Sequence, residues 1–207
     1  MKKLLLVVFS ITATFSLYAQ REVPQERMEQ IYEEAKTPHK YGLAIAPADN
    51  HHKIDCPTVF RQGDKWLMTY VVYNGKSGTD GRGYETWIAE SDNLLEWRTL
   101  GRILSYRDGK WDCNQRGGFP ALPDMEWGGS YELQTYKGRH WMTYIGGEGT
   151  GYEAVKAPLY IGLASTKGDI STAHEWESLD KPILSIHDKE AQWWEKLTQY
   201  KSTVYWD

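Results

Sequence analysis

The chain states one pattern twice. In the first copy Asp55-Cys56-Pro57-Thr58-Val59-Phe60 leads through Gln62-Gly63-Asp64 to Trp66-Leu67-Met68-Thr69-Tyr70, then to Thr86-Trp87-Ile88-Ala89-Glu90-Ser91, Leu94-Leu95-Glu96-Trp97 and Gly101-Arg102-Ile103-Leu104. In the second, Tyr131-Glu132-Leu133-Gln134 leads through Lys137-Gly138-Arg139 to Trp141-Met142-Thr143-Tyr144, then to Tyr160-Ile161-Gly162-Leu163-Ala164-Ser165, His174-Glu175-Trp176 and Lys181-Pro182-Ile183-Leu184. Lys201-Ser202-Thr203-Val204-Tyr205 opens a third copy. Trp66 and Trp141 stand 75 positions apart. A repeat of that length, built of strand-like stretches, predicts units stacked side by side rather than one closed core.

Each copy holds four apolar or alternating stretches separated by Gly, Asp and Asn turns, the content of one four-stranded antiparallel propeller blade. A blade buries its faces against its neighbours, so an array is stable only when several stack. Two blades and the first strand of a third therefore read as the N-terminal fragment of a longer chain. The competing architecture is a small β-sandwich whose halves resemble each other, since sandwiches share short, evenly spaced strands. The expected class is all-β, preceded by one short helix. Met28, Ile31, Tyr32 and Ala35 fall at helical spacing within 24–36, and Thr37-Pro38 stops the run. Tyr41-Gly42-Leu43-Ala44-Ile45 reads as a short strand leading into the first blade.

Lys2 and Lys3, the apolar run from Leu4 to Leu17 and Tyr18-Ala19-Gln20 follow the order of a secretory signal peptide, with cleavage expected after Ala19. Ser10, Thr12 and Thr14 interrupt the run, which is too short for a spanning helix. The expected division is thus 1–19 signal, 20–41 helical lead-in and 42–207 partial propeller, in a secreted or periplasmic protein with no membrane span. Removing the signal takes the basic count from 24 to 22 against 28 acidic residues, which argues against nucleic acid as a partner. Export permits a disulfide between Cys56 and Cys113, and free thiols are the alternative. His51 and His52 are adjacent and the other four His are scattered, so no metal and no cofactor is assigned.

The ten Trp and fourteen Tyr are unusually many. Trp66, Trp97, Trp141 and Trp176 recur at matching places in the two copies and are expected in the core. Trp111, Trp127, Trp193 and Trp194 lie in connecting segments, where a flat apolar ring can stack on the face of a sugar.

Asp55-Cys56-Pro57-Thr58-Val59-Phe60, followed by Gly63-Asp64-Lys65-Trp66-Leu67-Met68-Thr69-Tyr70, resembles the inner strand and hairpin of the five-bladed β-propeller glycosidases. Ile88-Ala89-Glu90-Ser91-Asp92-Asn93-Leu94-Leu95-Glu96-Trp97 is similar to a second element of the same group, which includes glycoside hydrolase families 43, 32 and 130. The resemblance covers 42–207. It implies an all-β five-bladed ring with a carbohydrate site where the innermost strands begin, and a pair of carboxyl groups acting there, one as acid and one as base or nucleophile.

Asp55 matches the catalytic carboxylate that opens the first inner strand. For the second carboxylate three residues stand open. Asp112 lies four residues before Arg116, whose guanidinium favours the ionised form. Glu132 begins the stretch matched to the first inner strand, and Glu195 follows Trp193-Trp194 just before the third. Glu85, Trp111, Arg116 and Lys201 are candidate partners for sugar. The Arg-Asp-Pro element of family 32 is absent, with Arg116-Gly117-Gly118-Phe119-Pro120 in its region. The implied activity is glycoside hydrolysis, with inversion by resemblance to family 43. Arg61, Arg116 and Lys201 keep a family 130 type phosphorylase open, and a non-catalytic carbohydrate-binding propeller is the reading from a different class.

Overall fold

A strand whose two faces are both covered reads as a near-continuous apolar run, and four of the eight strands do so. In this computed structural model, which describes residues 23–36, 42–49, 51–76, 80–152 and 158–206, they are β2 (Lys65–Tyr73), β3 (Tyr84–Ser91), β6 (His140–Gly147) and β7 (Tyr160–Thr166). With β1 (Lys53–Gln62) and β4 (Arg98–Leu104) the first two build an antiparallel meander β1-β2-β3-β4. With β5 (Gln115–Pro120) and the two-residue β8 (Glu177–Ser178) the second two build another, β5-β6-β7-β8. The strand content of the two sequence copies is therefore two four-stranded meanders, joined where Tyr84 and Gln115 pair in parallel in one open sheet.

The joint is held by one hydroxyl. Thr86 on β3 donates to the Arg116 carbonyl at 2.7 Å and accepts from the Gly118 amide at 2.7 Å, so two β5 backbone groups are satisfied across the gap between meanders. A single core then runs across both: Phe60, Leu67, Ile88, Ile103 and Leu104 from the first pack with Met142, Tyr144, Ala164, Ile170 and Trp176 from the second. Burying apolar surface from both units in one cluster is what makes neither stable alone.

Three expectations are corrected. The inner strand of the second meander is β5, not Tyr131–Gln134, which makes only isolated bridges, Arg61 to Glu132 and Pro123 to Leu133. Residues 42–45 form no strand: Gly42 sits at φ +100° and Leu43 is exposed, so neither backbone nor side chain fits a pleated sheet. Of the four matched Trp only Trp176 is fully buried; Trp66, Trp97 and Trp141 are half-buried, and the indoles of the last two close turns by donating to the Leu94 and Tyr136 carbonyls at 3.0 and 2.8 Å. The third opening forms no strand, yet it runs beside the second meander, with the Leu122 amide on the Val204 carbonyl and the Thr143 hydroxyl on the Ser202 carbonyl.

The Ser91–Trp97 element is a turn-builder. Ser91 Oγ accepts from the Asn93 and Leu94 amides, Asn93 Oδ1 accepts from the Leu95 and Glu96 amides, and Leu94 takes φ +65°. Side chains here replace the backbone partners that a tight β3–β4 connection removes.

Residues 1–40 and 41–207 are separate compact units. In the first, α1 (Gln25–Ala35) follows Pro24 and carries the paired side chains Gln25 with Glu29 and Gln30 with Glu34. The signal expected at 1–19 lies outside the described residues. No helix among the described residues is long and apolar enough to cross a membrane.

Candidate functional site

Asp55 sits where β1 breaks register. Pairing with β2 is regular up to Asp55 opposite Val71, slips at Cys56-Pro57 and resumes at Thr58 opposite Thr69. Pro57 cannot donate to the ladder, and Cys56 takes φ +52°, a left-handed conformation costly for a residue with a Cβ. A bulge of this kind re-aims a side chain. The one it re-aims is Asp55, whose Oδ1 accepts from the Cys56 amide at 2.6 Å and whose Oδ2 accepts from the Tyr152 hydroxyl at 2.9 Å.

Tyr152 arrives from 97 positions away because the β6–β7 connection is pinned from below. Fully buried Gln115 donates to the Gly149 and Gly151 carbonyls at 2.8 Å each, and the Gly151 amide reaches the Gly81 carbonyl at 3.2 Å. The Tyr152 ring then meets those of Tyr73 and Tyr84 edge-on, each at 5.5 Å between centroids. A hollow of about 340 Å³ opens between Lys53, Asp55, Tyr73, Tyr84 and Tyr152.

Partial burial alone lifts the Asp55 carboxyl, but the hydrogen bonds from Tyr152 and Cys56 and the positive charge of Lys201 outweigh it and hold the group below the usual aspartate value. Asp55 is therefore ionised at neutral pH, the state required of a general base or a nucleophile. Lys201 also faces the Cys56 thiol, which burial pushes up. Lys201, like Cys56, has positive φ, at +52°. Of the residues singled out in the sequence, the structure brings Lys201 to Asp55.

The others lie elsewhere. Glu132 accepts from the Gly63 amide at 3.1 Å and bridges to Arg61, at the opposite end of β1. Six residues of strand at ~3.3 Å each separate Arg61 from Asp55, about 20 Å, well beyond the roughly 5–9.5 Å at which two carboxyls work as a pair. Asp112 and Arg116 are both fully enclosed. Asp112 accepts from Arg107 at 2.8 and 3.0 Å and from the Tyr144 hydroxyl at 2.8 Å. The Arg116 Nε faces Asp112 Oδ2 at 3.1 Å as an ion pair without the angle of a hydrogen bond. Its other nitrogens reach Glu175 at 2.7 Å, the Ser105 carbonyl and the Ser178 hydroxyl. This is a structural ion network tying the β4–β5 connection to the β7–β8 segment, with no open side toward a ligand.

Glu85 is buried on β3 and accepts from Arg102 at 3.1 Å. Glu195 closes its own helical turn, Trp193–Glu195, by accepting from the Gln192 amide at 2.6 Å. Trp127, Trp193 and Trp194 are exposed, whereas Trp111 is half-buried and stacked on Tyr144 at 5.9 Å. Arg61 donates to the Gly63 carbonyl at the far end of β1, so Arg61, Arg116 and Lys201 form no joint basic cluster. Both cysteines are free thiols. Among the described residues no group of three or more His, Cys, Asp or Glu is placed to hold a metal.

Fold and hollow together define a repeat-built all-β protein that presents an ionised aspartate among tyrosines at the start of its first inner strand. The comparisons with known proteins say which kind. The chain is 93% identical to a solved structure described as "Glycoside hydrolase", over 90% of this chain and 53% of that one, with a TM-score of 0.85. A second structure, described as a complex of BT0996 and RGII, matches with the same identity, coverage and TM-score. Zg3597, a family 117 glycoside hydrolase of Zobellia galactanivorans, shares the fold at 11% identity and a TM-score of 0.53, over 75% of this chain and 45% of that one. These matches bear out the resemblance to the propeller glycosidases, and the chain spans about half the length of the relatives it matches most fully. No protein-family model and no curated protein matches it.

Proposed function

We propose that this chain is part of a secreted glycoside hydrolase with a closed five-bladed propeller, in which Asp55 is the carboxylate that activates water. The observation that carries the reading is the Asp55 environment: a bulged strand start, two donated hydrogen bonds and the Lys201 charge keep one carboxylate ionised in an aromatic hollow. The identity with a glycoside hydrolase supplies the reaction class. The relative described as an RGII complex makes a polysaccharide fragment of that kind the substrate class. Family 43 resemblance favours direct displacement with inversion.

A second reading, carbohydrate binding without cleavage, is favoured by one specific observation. Neither Glu132 nor Asp112 is placed to act as an acid opposite Asp55, the first by distance and the second by enclosure. The two readings separate on sugar release by the full-length protein from plant-wall and microbial glycans, with Asp55→Asn as the paired variant. Hydrolysis predicts release that disappears in Asp55→Asn while binding persists. Binding without release in both proteins overturns it.

A further inference from the structure

A second hollow, of about 310 Å³, shares no lining residue with the Asp55 cavity. Its floor is Trp111, and the floor is unusually well fixed. The indole stacks on Tyr144 at 5.9 Å and 21°, and it lies over bare backbone at Gly146, where an added Cβ would come within 2.5 Å of the ring. Behind it the Tyr144 hydroxyl is tied to Asp112, itself locked by Arg107 and Arg116. Tyr160 stands edge-on to Trp111 at 6.2 Å and 74°, and His187 tilts against Tyr160 at 6.2 Å. Pro182 closes the apolar side, while Glu148, Ser185 and His187 give the rim its hydrogen-bonding groups. The Trp111 Nε1 proton is buried and has no acceptor among the described residues.

An apolar platform under a polar rim matches one kind of small molecule: a sugar ring, which has a C–H face and an edge of hydroxyls. The volume lies at the small end of ligand pockets and suits a single ring. Glu148 is exposed at the rim, so a uronic acid would bring its carboxylate toward another. We propose that this hollow is a subsite for one neutral monosaccharide unit, with the ring stacked on Trp111 and its hydroxyls held by Glu148, Ser185 and His187. The inference rests on the proposed function only for the class of ligand; it needs no cleavage and no role for Asp55.

The test is NMR of the indole N–H signals in the full-length protein, the Trp111 resonance being assigned by its loss in Trp111→Phe, which keeps an aromatic ring on Tyr144. Methyl galactoside, methyl rhamnoside and methyl galacturonide are the probes. A neutral glycoside is expected to move the Trp111 resonance at concentrations roughly tenfold lower than the galacturonide does. His187→Ala, at an exposed position, is expected to weaken this about tenfold, the loss of one good contact. Asp55→Asn should leave the response unchanged, so failure here and failure of the hydrolase reading are told apart. A Trp111 resonance that stays still up to tens of millimolar neutral glycoside, an equal response in His187→Ala, or preference for the galacturonide overturns the proposal.

Discussion

Asp112→Ala decides whether the Asp112–Arg116 cluster is framework or site. The carboxylate is fully enclosed and accepts from Arg107 and Tyr144 while paired with Arg116. Removing it leaves an enclosed guanidinium short of one counter-charge and a buried phenol short of its acceptor. Breaking a buried pair typically costs about 3–5 kcal/mol. Arg116 keeps Glu175, the Ser105 carbonyl and Ser178, so the lower end, about 3 kcal/mol, is expected. Against a total of roughly 5–15 kcal/mol this is a large fraction. At a urea slope of about 2 kcal/mol/M it lowers the unfolding midpoint by about 1.5 M, read from tryptophan fluorescence. Glu175→Ala is the contrast: the Glu175 side chain is 48% exposed, so its pair with Arg116 is worth under about 1 kcal/mol. An Asp112→Ala protein within about 1 kcal/mol of the parent would refute the structural reading.

Tyr152→Phe removes a donor from ionised Asp55, so the Asp55 value rises toward the ordinary one. Any activity that needs the carboxylate then loses its acidic limb at higher pH than in the parent, and the stability that the depressed group contributes at neutral pH, lost on acidification, shrinks; an unmoved limb counts against Tyr152 as the positioning residue. Gly118→Ala should cost about 1–3 kcal/mol in thermal or urea unfolding, because the new methyl would run into Met142 Sδ with Leu104 and Thr86 close by. Glu132→Gln should leave sugar release unchanged, since its carboxylate serves the Gly63 amide at the opposite end of β1; a lost activity there would mean that the catalytic pair is not built around Asp55.

Where a strand carries a continuous apolar run, as in Lys65–Tyr73 or Tyr160–Thr166, the pattern alone exposes it. β5 shows the opposite case. Gln115–Pro120 contains two glycines and an arginine, which reads as a loop, yet it is the strand on which the second meander is built. The glycines are there because no Cβ fits: at Gly117 it would press on Ile145 and Val71, and at Gly118 on Met142. Dense packing between meanders erases the very side chains that a periodicity argument needs. The repeat was therefore legible and its phase was not, because Tyr131–Gln134 offered a better-looking strand opposite the same Trp-containing partner.

The same logic governs the site. Asp55 was legible because Cys56-Pro57 marks a break in an otherwise regular strand, and a carboxylate at a break is one the backbone has re-aimed. Tyr152 was not, because nothing in its local sequence records that Gln115 and Gly81 pull its loop across to β1. Asp112 and Arg116 misled for a related reason. An acid four residues before an arginine looks alike whether it faces a ligand or the interior, and only the count of remaining partners separates the two. Arg116 has protein acceptors beyond Asp112 and no exposed surface, whereas Asp55 is solvent-exposed beside a hollow wide enough for a ligand. A charged side chain whose hydrogen bonds are used up by the fold cannot also be spent on a substrate.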